Sequence, residues 1–121
     1  MNKEIKEKWV AALRSGEYEQ GKGMLKTEDG KYCCLGVLCD LYSKEKESNE
    51  KFELSEDVYS FIGTSGVLPR EVREWAGIDT PNPIVASGDR YESLATFNDG
   101  IKGSIDSISF KEIADLIEAQ L

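Results

Sequence analysis

The chain has 121 residues, 40% of them hydrophobic and 31% charged, the size and make-up of a single globular domain spanning 1–121 whose core needs neither disulfides nor metal. It contains no histidine, which excludes every Ser-His, Cys-His and His-metal scheme at once. The formal charge of −8 falls wholly in residues 52–121 (five basic, thirteen acidic), because residues 1–51 hold ten of each; such a surface repels nucleic acid and suits a basic protein partner.

Along the chain, Asn2 followed by Ile5, Trp9, Ala12 and Leu13 at helical spacing predicts a first helix that stops at Gly16. Asp29-Gly30 is a hairpin signal, predicting a strand near Met24–Glu28 paired with one near Lys31–Cys33. A helix over Cys34–Lys46 follows, apolar nearly all round in its first two turns and therefore central. Within it Gly36 costs about 1 kcal/mol of helix propensity, so another backbone is expected to pass close by. The charged stretch SKEKESNEKFE is expected to be exposed and the least ordered. Val58–Ile62 reads as a strand ending at a Gly63–Gly66 turn, and VLPREVREWAGI as a short helix with Pro69 in its first turn and Gly77 at its end. Ile84–Ala86 is a short strand before a Gly88-Asp89 turn; Tyr91–Asp99 reads as a helix stopped by Gly100. Ser109 with Glu112 three residues on is a capping box opening a last helix, whose apolar face is Phe110, Ile113, Ala114, Ile117 and Leu121. Four or five helices with three or four short strands make an α+β domain, a small, mostly antiparallel sheet packed by helices.

Chemistry-bearing residues are few. Cys33, Cys34 and Cys39 are an odd count in one short stretch, expected as reduced, packed thiols of a cytoplasmic protein; a zinc site would need a fourth ligand such as Asp40. The N-terminal segment has no apolar stretch of signal-peptide type, and CCLGVLC is far too short to cross a membrane. Gly21-Lys22-Gly23 could offer backbone N–H groups and an ammonium to a phosphate, although it is neither a dinucleotide fingerprint nor a P-loop. Asn98-Asp99-Gly100 is either a helix stop or a place where Asn98 presents its amide to a ligand beside Asp99. Trp9, Trp75, Tyr32 and Tyr91 are core residues or stacking platforms. Cations are scarce in the acidic portion, namely Arg70, Arg73, Arg90, Lys102 and Lys111; they make surface ion pairs or hold an anion, and Arg70 and Arg90 are the candidates for the latter.

Taken together, KWVAALRSGEYEQGKGMLK, KYCCLGVLCDLY, LPREVREWAGI and SLATFNDG with SFKEIADLIE resemble a family of small proteins of tailed phages and prophages. Its most specific pieces here are CCLGVLCD at Cys33–Asp40 and FNDG at Phe97–Gly100, where Phe97 stands in place of leucine. The resemblance carries no catalytic residues with it, and implies an accessory role against a host function in the host cytoplasm. On this basis the expectation is a non-enzymatic binder with no cofactor that sequesters a small nucleotide-type anion. Its expected contacts are Gly21, Lys22, Gly23, Arg70, Arg90, Asn98 and Asp99, and a homodimer could clamp the ligand between protomers. The alternatives are an acidic inhibitor that covers a basic surface of a host defence protein, and a small hydrolase built on Asp and Glu alone.

Overall fold

In the computed structural model, which describes residues 1–45 and 50–121, five helices and four short strands enclose one core, so the class is α+β. The first helix, α1 (Lys3–Ser15), begins where the Asn2 side chain accepts the Ile5 N–H at 3.0 Å and ends at Gly16 in the left-handed conformation (φ 80). Its buried stripe is Ile5, Trp9, Val10 and Leu13; three of these were expected from the spacing, while Val10 joins them and Ala12 is only half-buried. The second helix, α2 (Cys34–Glu45), is the centre of the molecule: six consecutive residues, Cys34 to Cys39, are buried. Lys46, assigned to this helix from sequence, lies outside the described residues, as do residues 47–49 of the charged stretch.

Gly36 is where α2 meets the preceding segment. A Cβ placed there would lie 1.8 Å from the Leu25 carbonyl oxygen and 2.6 Å from its carbon, so that backbone can cross the helix only over a glycine. The close approach read from sequence is therefore present, and its partner is Leu25. Trp9, fully buried, reaches across to donate its indole N–H to the Cys34 carbonyl at 2.9 Å, which ties α1 to α2.

The hairpin expected around Asp29-Gly30 shrinks to its turn. Thr27 and Lys31 close it, with the Thr27 N–H on the Lys31 carbonyl at 2.7 Å, but the flanking pairing is a single antiparallel bridge, Lys26 with Tyr32. Tyr32 also bridges Gln20 in parallel, and α2 starts two residues later, so a second strand has no room to extend.

The regular strands lie further on. β1 (Glu53–Ser55), at the end of the charged stretch and not foreseen, pairs antiparallel with β2 (Val58–Ser60); the latter stops short of Ile62, whose φ of 49 turns the chain. Helix α3 (Arg70–Ala76) follows with Pro69 as its N-cap and Gly77 as its left-handed stop. β3 (Ile84–Ser87) and β4 (Arg90–Ser93) form the second hairpin around Gly88-Asp89, so Tyr91–Ser93 is strand where helix was expected. The cause is local: the two-residue turn folds the chain straight back onto β3. Ser93 then caps α4 (Leu94–Asp99) by accepting the Thr96 N–H, so the helix starts only at Leu94. The four strands thus form two separate antiparallel pairs rather than one layer. Helix α5 (Phe110–Gln120) opens with the foreseen capping box of Ser109 and Glu112 and packs its Phe110, Ile113, Ala114 and Ile117 face into the core against α1. Arg14 of α1 bridges to Asp115 and Glu118 of α5 at the rim.

Candidate functional site

Of the residues selected from sequence, Gly21, Gly23, Asn98 and Asp99 are joined by hydrogen bonds, with Lys22 between the two glycines. Among the described residues no hydrogen bond joins Arg70 or Arg90 to them.

Asn98 sits near the end of α4 with no exposed surface. Its Oδ1 accepts the Cys34 N–H at 3.2 Å and the Gln20 side-chain amide at 3.1 Å, while its Nδ2 donates to the Gly21 carbonyl at 2.8 Å and to Asp99 Oδ1 at 2.9 Å. A carboxamide offers two donors and two acceptor positions, and all four are engaged. Gln20 extends the network: its Nε2 also donates to the Ile108 carbonyl at 2.9 Å and its Oε1 accepts the Phe110 N–H at 3.1 Å. The two side chains therefore satisfy the first N–H of α2 and the first N–H of α5, groups that a helix leaves without partners of its own. Sequence reading offered Asn98 as either a helix stop or a ligand contact. The structure makes it the junction of three helix ends, with no hydrogen-bonding capacity left over.

The Gly21-Lys22-Gly23 loop is occupied in the same way. The Gly21 N–H donates to the Tyr32 carbonyl at 2.7 Å, Gly21 is buried, and the Gly23 N–H donates to Asp99 Oδ1 at 3.0 Å. The amides expected to cradle a phosphate are held by the chain's own groups, and the anion beside them is Asp99. Lys22 is exposed between the two glycines.

Arg70 lies on the exposed first turn of α3, 3.8 Å from both Glu71 and Glu74 of its own helix. Arg90 is exposed at the start of β4, opposite Ser87. Among the described residues no hydrogen bond joins either arginine to the Asn98 network. Gly21, Gly23 and Asn98 are thus engaged with the chain's own groups. The physical reason is that loop amides and a buried amide need partners within the fold, and each found one before any ligand.

The other polar clusters are equally self-contained. Burial pushes the Cys33 thiol up to about 11 and raises Cys34 and Cys39 well above the ordinary thiol range. These are inert packed groups, as expected of Cys34 and Cys39, and Cys33 Sγ accepts the Gly36 N–H at 3.4 Å as a cap on α2. Among the described residues no group of three His, Cys, Asp or Glu side chains is placed to hold a metal. Asp40, considered as a fourth zinc ligand, instead accepts the Tyr18 hydroxyl at 2.5 Å and pairs with Lys44 at 3.1 Å. Burial and the Asp40 hydrogen bond push Tyr18 up to about 12, the wrong direction for a base working near neutral pH. Lys26 is caged by aromatic rings, 4.5 Å from the Tyr59 ring centre and 5.4 Å from those of Tyr32 and Phe52. A hollow of about 480 Å³ is bordered by Met24, Thr27, Glu28, Asp29 and Asp57, three carboxylates that disfavour an anion.

A surface that the sequence reading passed over is the outer face of the β3–β4 hairpin. Strand pairing sets Ile84, Ala86, Tyr91 and Ser93 on one side, while Val85 on the other is buried in the core. Ile84 is 66% exposed and Tyr91 75%, the most exposed large apolar side chains described. Alternation of Ile84 and Ala86 around buried Val85, followed by a two-residue turn, was the available signal; treating Tyr91 as helical hid it.

No curated protein and no solved structure matches the chain. A family model does match from end to end, over residues 1–121, and the protein with this self-satisfied core and bare hairpin face belongs to the family described as Domain of unknown function (DUF8296).

Proposed function

We propose that the protein is a non-catalytic binding protein that covers a basic surface of another protein, with the outer face of the β3–β4 hairpin as its contact. The observation that carries this reading is the pairing of Ile84 and Tyr91, two large apolar side chains standing in water on one rigid hairpin. They lie in the part of the chain that holds the whole −8 charge, with Asp79, Asp89 and Glu92 close in sequence. An apolar anchor in this acidic part of the chain, with Asp79 bordering the same hollow as Ile84, suits a partner surface with an apolar recess beside Lys and Arg. On the resemblance to small phage and prophage proteins, that partner is a protein of the host cell. The nucleotide-sequestering reading has less support, because Gly21, Gly23 and Asn98 are engaged within the fold. Among the described residues, no helix is long and apolar enough to cross a membrane.

The test is site-specific photo-crosslinking in host lysate, with the crosslinker at position 91 and, as a control on α1, at exposed position 7. The expected result is a basic protein captured from position 91 alone. Capture should disappear with Ile84→Ser and in 1 M salt, where the screening length is about 3 Å. A thermal shift with a nucleotide, together with equal labelling from both positions, would overturn the reading.

A further inference from the structure

We infer that the outer edge of β3 is a strand-addition site, held closed by Gln120, onto which an extended basic segment of a partner pairs as a third strand. This rests on the docking reading above and specifies how the partner is held.

The hairpin has only two strands, so each has one edge turned away from the other. Pairing alternates along an antiparallel ladder. Because Ser87 and Arg90 close the two-residue turn, the backbone of Ala86 points outward from β4. Both of its groups are occupied by one side chain: the Ala86 N–H donates to Gln120 Oε1 at 2.7 Å, and Gln120 Nε2 donates to the Ala86 carbonyl at 2.7 Å. The oxygen and one N–H of a primary amide lie side by side in a plane, as the C=O and N–H of a single residue of an added antiparallel strand do. Gln120 therefore occupies the position of a third strand at Ala86, with α5 packed beside β3. It is also exposed and is the last residue of α5, where a helix frays most readily.

The surroundings specify the occupant. A hollow of about 250 Å³ runs beside this edge, bordered by Ile78, Asp79, Pro83, Ile84 and Gln120. An extended segment replacing Gln120 would place alternate side chains over Ile84 and into this hollow, where Ile78 and Pro83 supply apolar contact and Asp79 a carboxylate. The net charge of −8 favours lysine or arginine on that segment. It also opposes a second copy of this chain, which would bring two such charges together.

The experiment uses a fluorescent Lys-Val-Lys-Val-Lys-Val peptide as the probe, read by anisotropy with the full chain and with Gln120→Ala. Removing the competing amide should tighten binding about tenfold, the effect of one hydrogen-bonded pair. The Ala86 amide should exchange faster in free Gln120→Ala than in the parent and slow again when peptide is added. A peptide N-methylated at alternate residues, unable to donate along one edge, should not bind. Equal affinity of parent and variant, or binding of the N-methylated peptide, overturns strand addition. A doubled mass of Gln120→Ala in solution overturns the choice of occupant in favour of a second copy. If crosslinking at position 91 survives while the peptide results are negative, docking stands without strand addition; if both are negative, both fail.

Discussion

Asn98 and Ala86 show two ways in which this fold satisfies polar groups. Around Asn98, four partners converge, Gln20 and Gly21 from one stretch of chain, Cys34 from another and the neighbouring Asp99, and water has no access. At Ala86, both backbone groups depend on one exposed side chain, beside two large apolar residues that face solvent. The first arrangement is costly to disturb and leaves nothing for a ligand. The second can exchange its partner with little loss, because water or an added strand can replace Gln120. Binding surfaces belong to the second kind, since the free state must give up its contacts cheaply. Residue type alone does not distinguish the two: an asparagine next to a glycine looks available, and an isoleucine in a strand looks buried.

Three variants bear on this contrast, in descending size. Gly36→Ala should be the most damaging, because its Cβ would overlap the Leu25 carbonyl and one of two backbones must move. Overpacking costs about 1–3 kcal/mol and occasionally more, against under 1 kcal/mol of helix propensity recovered, and a backbone clash belongs at the upper end. A fall in Tm of roughly 10 °C or more, or failure to fold, is expected; a higher Tm than the parent would show that the two segments are not locked together.

Asn98→Ala comes next. It strips partners from the buried Cys34 N–H and Gly21 carbonyl, and a buried polar group left unpaired costs about 1–3 kcal/mol, so a loss of about 2–3 kcal/mol by urea unfolding is expected. If the loss is below about 0.5 kcal/mol, the network is not the structural junction described and Asn98 regains its candidacy as a ligand contact.

The smallest effect should come from replacing Ile84 and Tyr91 together by serine. Both are exposed, so the variant should unfold within about 0.5 kcal/mol of the parent while losing its partner. A destabilisation comparable to that of Asn98→Ala would mean that the hairpin face is covered within the free protein, and the contrast between the two regions would collapse.

The ends of α1, α3 and α5 could be read from residue order, because their causes are local. Asn2 and Gly16, Pro69 and Gly77, and the Ser109–Glu112 box act within a turn or two of chain, and the buried stripe of α1 follows from a repeat of 3.6 residues. Gly36 was legible for a related reason: a glycine inside a helix that is apolar all round has no local justification, so a tertiary one was implied, though not that its partner would be Leu25. Strand pairing was less legible. A strand is stabilised by a neighbour whose distance in sequence is not encoded in its own residues, so β1 went unseen, Lys31–Cys33 was granted a strand that Tyr32 fills with single bridges, and Tyr91 was placed in a helix.

The candidate site depended almost wholly on tertiary contacts. Sequence could nominate Gly21, Gly23, Asn98 and Asp99 as polar groups in turns, and three-dimensional packing did bring them together. Whether such groups bind a ligand or one another is decided by how many donors and acceptors meet in one place, and that number exists only once the chain is folded. The same holds for exposure. The apolar character of Ile84 and Tyr91 is a property of the residues; that they face water is a consequence of Val85 taking the core side of a two-stranded hairpin with no sheet beyond it.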